Sequence, residues 1–135
     1  MDLTTAIAEL RRRNEPVPKP GRLPTQAEVV AAEEKLGLRF SADYQRFLLE
    51  ASDVMYSTYE PCIVTPTMPY ADLVLNANEA WKMGVPRGWL PFCPDNGDYF
   101  CLDGDAVRYW AHDGNTDEHW TDLATWIEKV WLAGE

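Results

Sequence analysis

Cysteine, basic residues and long apolar runs are all scarce in this sequence of 135 residues. The 3 cysteines stand at irregular spacing without a CxxC pair, which predicts buried, reduced thiols rather than a disulfide framework. No apolar run approaches the ~18 residues that a membrane-spanning helix needs. The opening residues also lack the basic and apolar regions of a secretory signal. We therefore expect a cytoplasmic protein that does not act at a membrane.

The local patterns of common catalytic and metal sites are absent as well. There is no G-x-S-x-G, P-loop or H-E-x-x-H motif, and no local signature of Cys–His catalysis. A C-x7-C-x10-H-x6-H pattern contains zinc-ligand residue types, but no two of them lie close enough to form one knuckle. These residues are Cys93, Cys101, His112 and His119. We predict no catalytic residue, no metal site and no cofactor, with a small metal- or Cys-dependent enzyme as the least favoured alternative.

Acidic residues outnumber basic ones by 22 to 12, giving a formal net charge of −10. Residues 47–135 carry 15 of the acids and only 4 of the bases. Such a charge repels phosphate backbones, which argues against direct nucleic-acid binding, and it attracts a basic protein surface. A surface that only keeps the protein soluble is an equally compatible interpretation. The candidate partner-binding residues are Asp95, Asp98, Asp103, Asp105, Asp113, Asp117 and Glu118, with Tyr109 or Trp110 as an apolar anchor.

Capping signals and apolar periodicity predict helices along the chain. Residues 4–13 form a short predicted helix, and a proline-rich connector follows it up to residue 24. A capping box at Thr25 and Glu28 starts the next helix, which Gly37 ends. Ser41 caps a third helix. Further helices are predicted for residues 72–83 and 121–132.

Short aromatic-rich runs at residues 89–92, 98–102 and 106–112 predict antiparallel strands. Residues 94–97 form the first predicted turn, and Asp103-Gly104 forms the second as a two-residue loop. With that loop, Phe100 and Val107 lie on one face, opposite to Tyr99 and Arg108. The prolines within residues 54–70 predict short or edge strands there. The elements together predict one α+β domain, in which N-terminal helices and a C-terminal helix pack on an antiparallel sheet.

Several motifs resemble those of the SUKH superfamily, which includes fungal Smi/Knr cell-wall regulators and bacterial toxin-immunity proteins. Residues 40–48, FSADYQRFL, resemble its L-P-x-D-Y-x-x-F-L helix start, with Ser41 in place of proline. Residues 89–113 resemble its lp-i…G-D-x-F-x-x-D…v-y-x-W-x-H-D block, and residues 123–132 resemble its s-F-x-e-f-L ending. The resemblance covers roughly residues 22–132.

This resemblance implies a protein-binding α+β domain rather than an enzyme. We assign the SUKH-like domain to residues 25–135 and the preceding helix and connector to residues 1–24. Many bacterial members neutralise a toxin, often a nuclease or deaminase, by covering its active site. The resulting hypothesis is an immunity protein, monomeric or weakly dimeric, that binds a basic toxin domain through its acidic surface. The alternative is a Smi/Knr-like regulator or adaptor whose partner is unknown.

Overall fold

The computed structural model describes residues 1–114 and 116–134, so Asn115 and Glu135 lie outside the description. Within those ranges, α-helices precede and follow a four-stranded antiparallel sheet of order β1-β2-β3-β4. The predicted α+β architecture is confirmed. The helices are α1 (Leu3–Arg13), α2 (Gln26–Leu36), α3 (Ala42–Ala51), α4 (Leu73–Met83) and α5 (Leu123–Trp126). The strands are β1 (Leu90–Asp95), β2 (Asp98–Asp103), β3 (Ala106–Trp110) and β4 (His119–Trp120).

The predicted helix caps are present in the structure. Thr25 and Glu28 form a complete capping box at the start of α2, and Gly37 ends that helix with a φ of 66°. The Ser41 hydroxyl accepts the Tyr44 backbone N–H at 3.2 Å and so starts α3. These helix boundaries are set by side chains within a few residues of each helix end, which is why the sequence predicts them well.

The predicted turn at residues 94–97 was too long, because Pro94 and Asp95 pair with Tyr99 and Asp98, so that β1 extends to Asp95 and only Asn96 and Gly97 form the turn. Both residues have positive φ, 52° and 93°, which is the pattern of a type I′ hairpin turn. The turn between β2 and β3 consists of Gly104 and Asp105, since Asp103 pairs with Ala106. The prediction of an Asp103-Gly104 loop was therefore wrong by one residue.

The physical reason lies in the backbone of Gly104. Its φ of 61° occupies the left-handed region, and glycine takes the first central position of a type II′ hairpin turn. Moving the whole loop by one residue keeps every side chain on its predicted face. Phe100 and Val107 are buried in the main core, while Tyr99 lies in a separate cluster on the opposite face. Phe100 is paired with Tyr109.

Residues 54–70 form no strand in the structure, and the prediction of short or edge strands there was wrong. One isolated parallel bridge joins Ile63 to Asp72, and a single 3₁₀ turn covers Pro69–Ala71. The Cys62 backbone N–H donates to the Phe92 carbonyl at 2.7 Å. The prolines remove donors that a ladder needs, so this segment covers the edge of β1 instead of extending the sheet.

The main core lies between the inner face of the sheet and the surrounding helices. Its largest fully buried side chains include Trp126, Trp131, Tyr44, Phe47 and Phe92. The α1 residues Leu3, Ala6, Ile7 and Leu10 belong to the same core, so the predicted segment 1–24 packs directly against the rest of the chain. The boundary at residue 24 stays a prediction. No helix in the described ranges is both long and apolar enough to cross a membrane.

The predicted C-terminal helix begins at Leu123, after Asp122, whose carboxylate accepts the Thr125 N–H at 2.8 Å. It continues as a π-helical segment, Ile127–Trp131, in which the Leu132 N–H donates to the Ile127 carbonyl at 2.8 Å. The winding of this segment is therefore wider than that of the α-helix that the apolar spacing predicts, and Ile127 and Trp131 are its buried residues.

Candidate functional site

The structure divides the predicted acidic residues between the two ends of the sheet. Asp98 and Asp103 are the first and last residues of β2, which places their backbones about 17 Å apart. Asp105 lies at the Asp103 end, in the β2–β3 turn. The remaining predicted carboxylates lie toward the Asp98 end. We call that region the acidic end and define it by Asp95, Asp98, Asp113, Asp117 and Glu118.

Asp98 joins the β1–β2 turn to the end of β3. Its Oδ1 accepts the His112 backbone N–H at 2.9 Å and lies 2.6 Å from the His112 ring Nδ1. Its Oδ2 accepts the Tyr109 hydroxyl at 2.8 Å. The hydrogen bonds from His112 lower the pKa of Asp98, and the same carboxylate raises the pKa of His112. The Asp98 carboxylate is thus held in place by contacts from one strand end.

Tyr109 connects that carboxylate to Asp95. The hydroxyl lies 3.0 Å from Asp95 Oδ2, so one phenolic proton is shared between two carboxylates. Burial, together with both carboxylates, raises the pKa of Tyr109 and keeps the phenol neutral. Within the described residues, the Asp95 carboxylate has no other hydrogen-bond partner. One of its oxygens is therefore open to a further donor.

At the opposite end of β2, Asp103 has an internal partner. The Arg108 Nε donates to Asp103 Oδ2 at 2.7 Å, and the Arg108 guanidinium lies 5.6 Å from the centre of the Trp89 ring. This pairing offsets the negative charge of Asp103. Asp105 remains exposed in the turn. The acidic residues at the two ends therefore have different surroundings.

The two candidate apolar anchors lie on opposite faces of β3. Tyr109 packs on Phe100 of the inner face, with ring centres 4.9 Å apart. Trp110 packs on Tyr99 of the outer face at 6.2 Å, beside α4. Neighbouring residues of a strand point to opposite sides, so these two rings cannot contact the same side chain of a partner. Tyr109 is the one that shares a surface with the acidic end.

An open groove of about 380 Å³ lies between the acidic end and the π-helical segment. The buried Phe100 ring supports its wall, with ring centres 5.6 Å from Tyr59 and 5.7 Å from Trp120. Charged side chains from three separate segments also line it. We call this the aromatic groove and define it by Tyr59, Asp95, Tyr109, Glu118, Trp120 and Lys129.

Sequence reasoning identified three of these six residues and missed Tyr59, Trp120 and Lys129. Tyr59 comes from the proline-containing segment, and no local pattern indicates that it reaches the sheet. Lys129 lies in the π-helical segment, whose winding departs from the period that apolar spacing indicates. Trp120 belongs to a strand of only two residues, too short to give an alternating signal.

The cysteines and histidines that resemble zinc ligands do not converge. Cys93 and Cys101 are buried, whereas His112 and His119 are exposed. In residues 1–114 and 116–134, no group of three or more His, Cys, Asp and Glu side chains is arranged to hold a metal ion. The three thiols, including Cys62, are free and buried as predicted, and burial raises the pKa of each.

The fold and the site define a small α+β domain, in which helices pack on one antiparallel sheet and an acidic, aromatic groove opens beside it. A family model described as SMI1-KNR4 cell-wall, SUKH_5, matches residues 3–132. A crystal structure of a protein from Pseudomonas syringae pv. tomato is similar, with 36% sequence identity, a TM-score of 0.91, and coverage of 97% of this chain and 99% of that chain. No curated protein matches the sequence. The chain belongs to the SUKH, or SMI1-KNR4, family, and the match includes α1.

Proposed function

We propose that this protein is a non-enzymatic protein-binding domain, an immunity protein that neutralises a basic bacterial toxin through its acidic end. The observation that carries the proposal is the concentration of carboxylates there, next to an open groove. Asp113, Asp117 and Glu118 are all exposed to solvent, so their charges are available to a partner. Membership of the SUKH family supports a binding role.

Electrostatics explains why such a surface suits a nuclease-type toxin. A protein that binds phosphate backbones needs a basic surface, and an acidic inhibitor competes for the same surface. Complementary charge increases the rate of encounter and rejects partners of the wrong sign. The contacts of Asp98 fix one carboxylate of the acidic end before binding, which lowers the cost of ordering the interface.

A regulator or adaptor of the same family is the second candidate. The matching family model is described by its cell-wall members, which favours this alternative. Gene neighbourhood separates the two candidates, because an immunity gene is expected beside the gene for its toxin. An isolated gene favours the regulator.

The test starts by co-purifying the partner with a tagged form of this chain from its own organism. We expect that partner to be basic, and its association rate constant to fall steeply between about 50 and 500 mM salt. Replacing Asp113 alone by lysine should lower the rate constant about threefold at low salt. Asp105→Lys is the matched control, since Asp105 is an exposed carboxylate at the other end of β2.

Two results contradict the proposal. One is an association rate that does not change with salt. The other is an equal loss of rate in the Asp105 control, which would show that only net charge matters and that no particular end of the sheet docks.

A further inference from the structure

We propose that the aromatic groove is an anchor site for one arginine side chain of the protein partner. It rests on the proposed function, because that function makes the ligand part of a protein. What it adds is the identity of the side chain that the partner inserts. The size of the groove, the placement of its rings and the charges that line it all fit an arginine side chain.

The size of the groove fits a single long side chain. Its volume of about 380 Å³ lies at the low end of the range of small-ligand sites. The rings of Tyr59, Tyr109 and Trp120 line it and are half-buried. All three belong to one packed cluster, since Phe100 and Trp126 support them from the core. Such rings keep their positions in the absence of a ligand and offer aromatic surface to a cation.

The charges in the groove favour a cationic side chain. Asp95 binds the Tyr109 hydroxyl with Oδ2 and has its second oxygen open within the described residues. The Glu118 carboxylate has no hydrogen-bond or ion-pair partner in the described part of the chain, and its backbone carbonyl accepts the Tyr109 N–H at 3.2 Å. Two carboxylates beside aromatic rings provide both ion pairing and cation–π contact. The planar guanidinium of arginine uses both at once, which an ammonium does less well.

Lys129 also lines the groove and opposes an incoming cation. Its ammonium lies 3.8 Å from the Glu128 carboxylate, which also binds the N-terminal amine of Met1 at 2.8 Å. Glu128 therefore offsets only part of the Lys129 charge. Removing the lysine side chain should strengthen binding of a cation in the groove, a change that a purely structural role of Lys129 does not predict.

The test uses the full chain, labelled with ¹⁵N, and N-acetyl-argininamide as the probe. The neutral isostere N-acetyl-citrullinamide and N-acetyl-lysinamide serve as comparison probes. We expect saturable shifts of the Trp120 indole and of the Glu118 and Tyr109 amides with the arginine probe. The lysine probe should bind more weakly, and the citrulline probe should leave these signals in place.

Variants then locate the site. Glu118→Gln should weaken the arginine probe about threefold to tenfold, and Lys129→Ala should tighten it by a similar factor. Asp105→Asn and Lys82→Ala are the matched controls, because both are charged residues outside the groove, and neither should change the affinity. The spectra of the free variants verify that each remains folded.

The proposal is overturned if citrulline shifts the same signals, if the arginine shifts do not saturate, or if they occur along the acidic end without Trp120. It is also overturned if lysine binds as tightly as arginine. A partner that docks on the acidic end and binds the Glu118 and Lys129 variants as tightly as the wild-type chain would contradict the anchor site but not the proposed function. A partner that docks elsewhere, while arginine still saturates the groove, would contradict the proposed function alone.

Discussion

Tyr109→Phe removes a single oxygen atom from the contact between β1, β2 and β3. The hydroxyl is 2.8 Å from Asp98 and 3.0 Å from Asp95, so its loss leaves two neighbouring carboxylates without their shared donor. The ring itself stays packed on Phe100, because phenylalanine keeps the same shape. The change therefore isolates the hydrogen bond from the packing.

The magnitude follows from one proton and two charged acceptors. A hydrogen bond to a charged group contributes about 1.5–3 kcal/mol, and only one full bond is available here. The Asp98 side chain is 19% exposed, so solvent reduces that value to about 1–2 kcal/mol. For a chain of 135 residues, this loss lowers Tm by about 3–7 °C.

Chemical denaturation at pH 7 and thermal unfolding followed by circular dichroism measure this loss. Tyr99→Phe is the matched control, since its hydroxyl lies 4.0 Å from the thioether of Met83, a weak acceptor. The control should change the free energy of unfolding by less than about 0.5 kcal/mol. The Tyr109 effect should also shrink as the pH falls through the lowered pKa of Asp98. Equal losses in the two variants would refute the shared hydrogen bond.

Three further measurements test other parts of the structure. Asp98 raises the pKa of His112 above its ordinary value of 6.5, so the charged imidazole stabilises the fold fully below pH 6.5, and this contribution is lost as the pH rises through the folded-state pKa. The difference in the free energy of unfolding between wild type and His112→Gln should therefore shrink over that pH range. Stability profiles of the two proteins that run parallel with pH would contradict the Asp98–His112 pair. All three buried thiols should resist Ellman's reagent in the native protein and react on unfolding, whereas fast native labelling would place a thiol at the surface. Tyr44 is fully buried, and its hydroxyl has no hydrogen-bond partner in the described residues. Tyr44→Phe should therefore raise the free energy of unfolding by about 1 kcal/mol. A clear decrease in that free energy would show that the hydroxyl has a hydrogen-bond partner.

Local chemistry explains which elements the sequence predicts well. Thr25, Ser41 and the Asn96-Gly97 pair determine backbone geometry through neighbours within four residues. The family resemblance adds the order of the elements and is confirmed over residues 3–132. The loop at Gly104 was placed one residue early, because an Asp-Gly and a Gly-Asp turn are both compatible with the same alternating strands.

The candidate site depends on contacts between distant segments, which a sequence pattern does not encode. The charge excess predicts an acidic surface but not that Asp103 pairs with Arg108 while Glu118 has no side-chain partner among the described residues. The Asp103–Arg108 pair follows from the register of β2 on β3, in which Arg108 lies opposite Cys101. Likewise, Tyr59 and Lys129 line the same groove although they belong to a loop and a π-helical segment and lie 70 positions apart in the chain.

The three-part origin of the aromatic groove has a consequence for how binding preference can change in evolution. Glu118 and Lys129 are both exposed, whereas Tyr59 is half-buried against Phe100 and Trp126. Exchanging Glu118 or Lys129 alters the charge or shape offered to a ligand without opening a void behind it, since the rings of Tyr59, Phe100 and Trp126 remain in place. A lineage of such domains is thus free to acquire new specificities one substitution at a time on an unchanged scaffold.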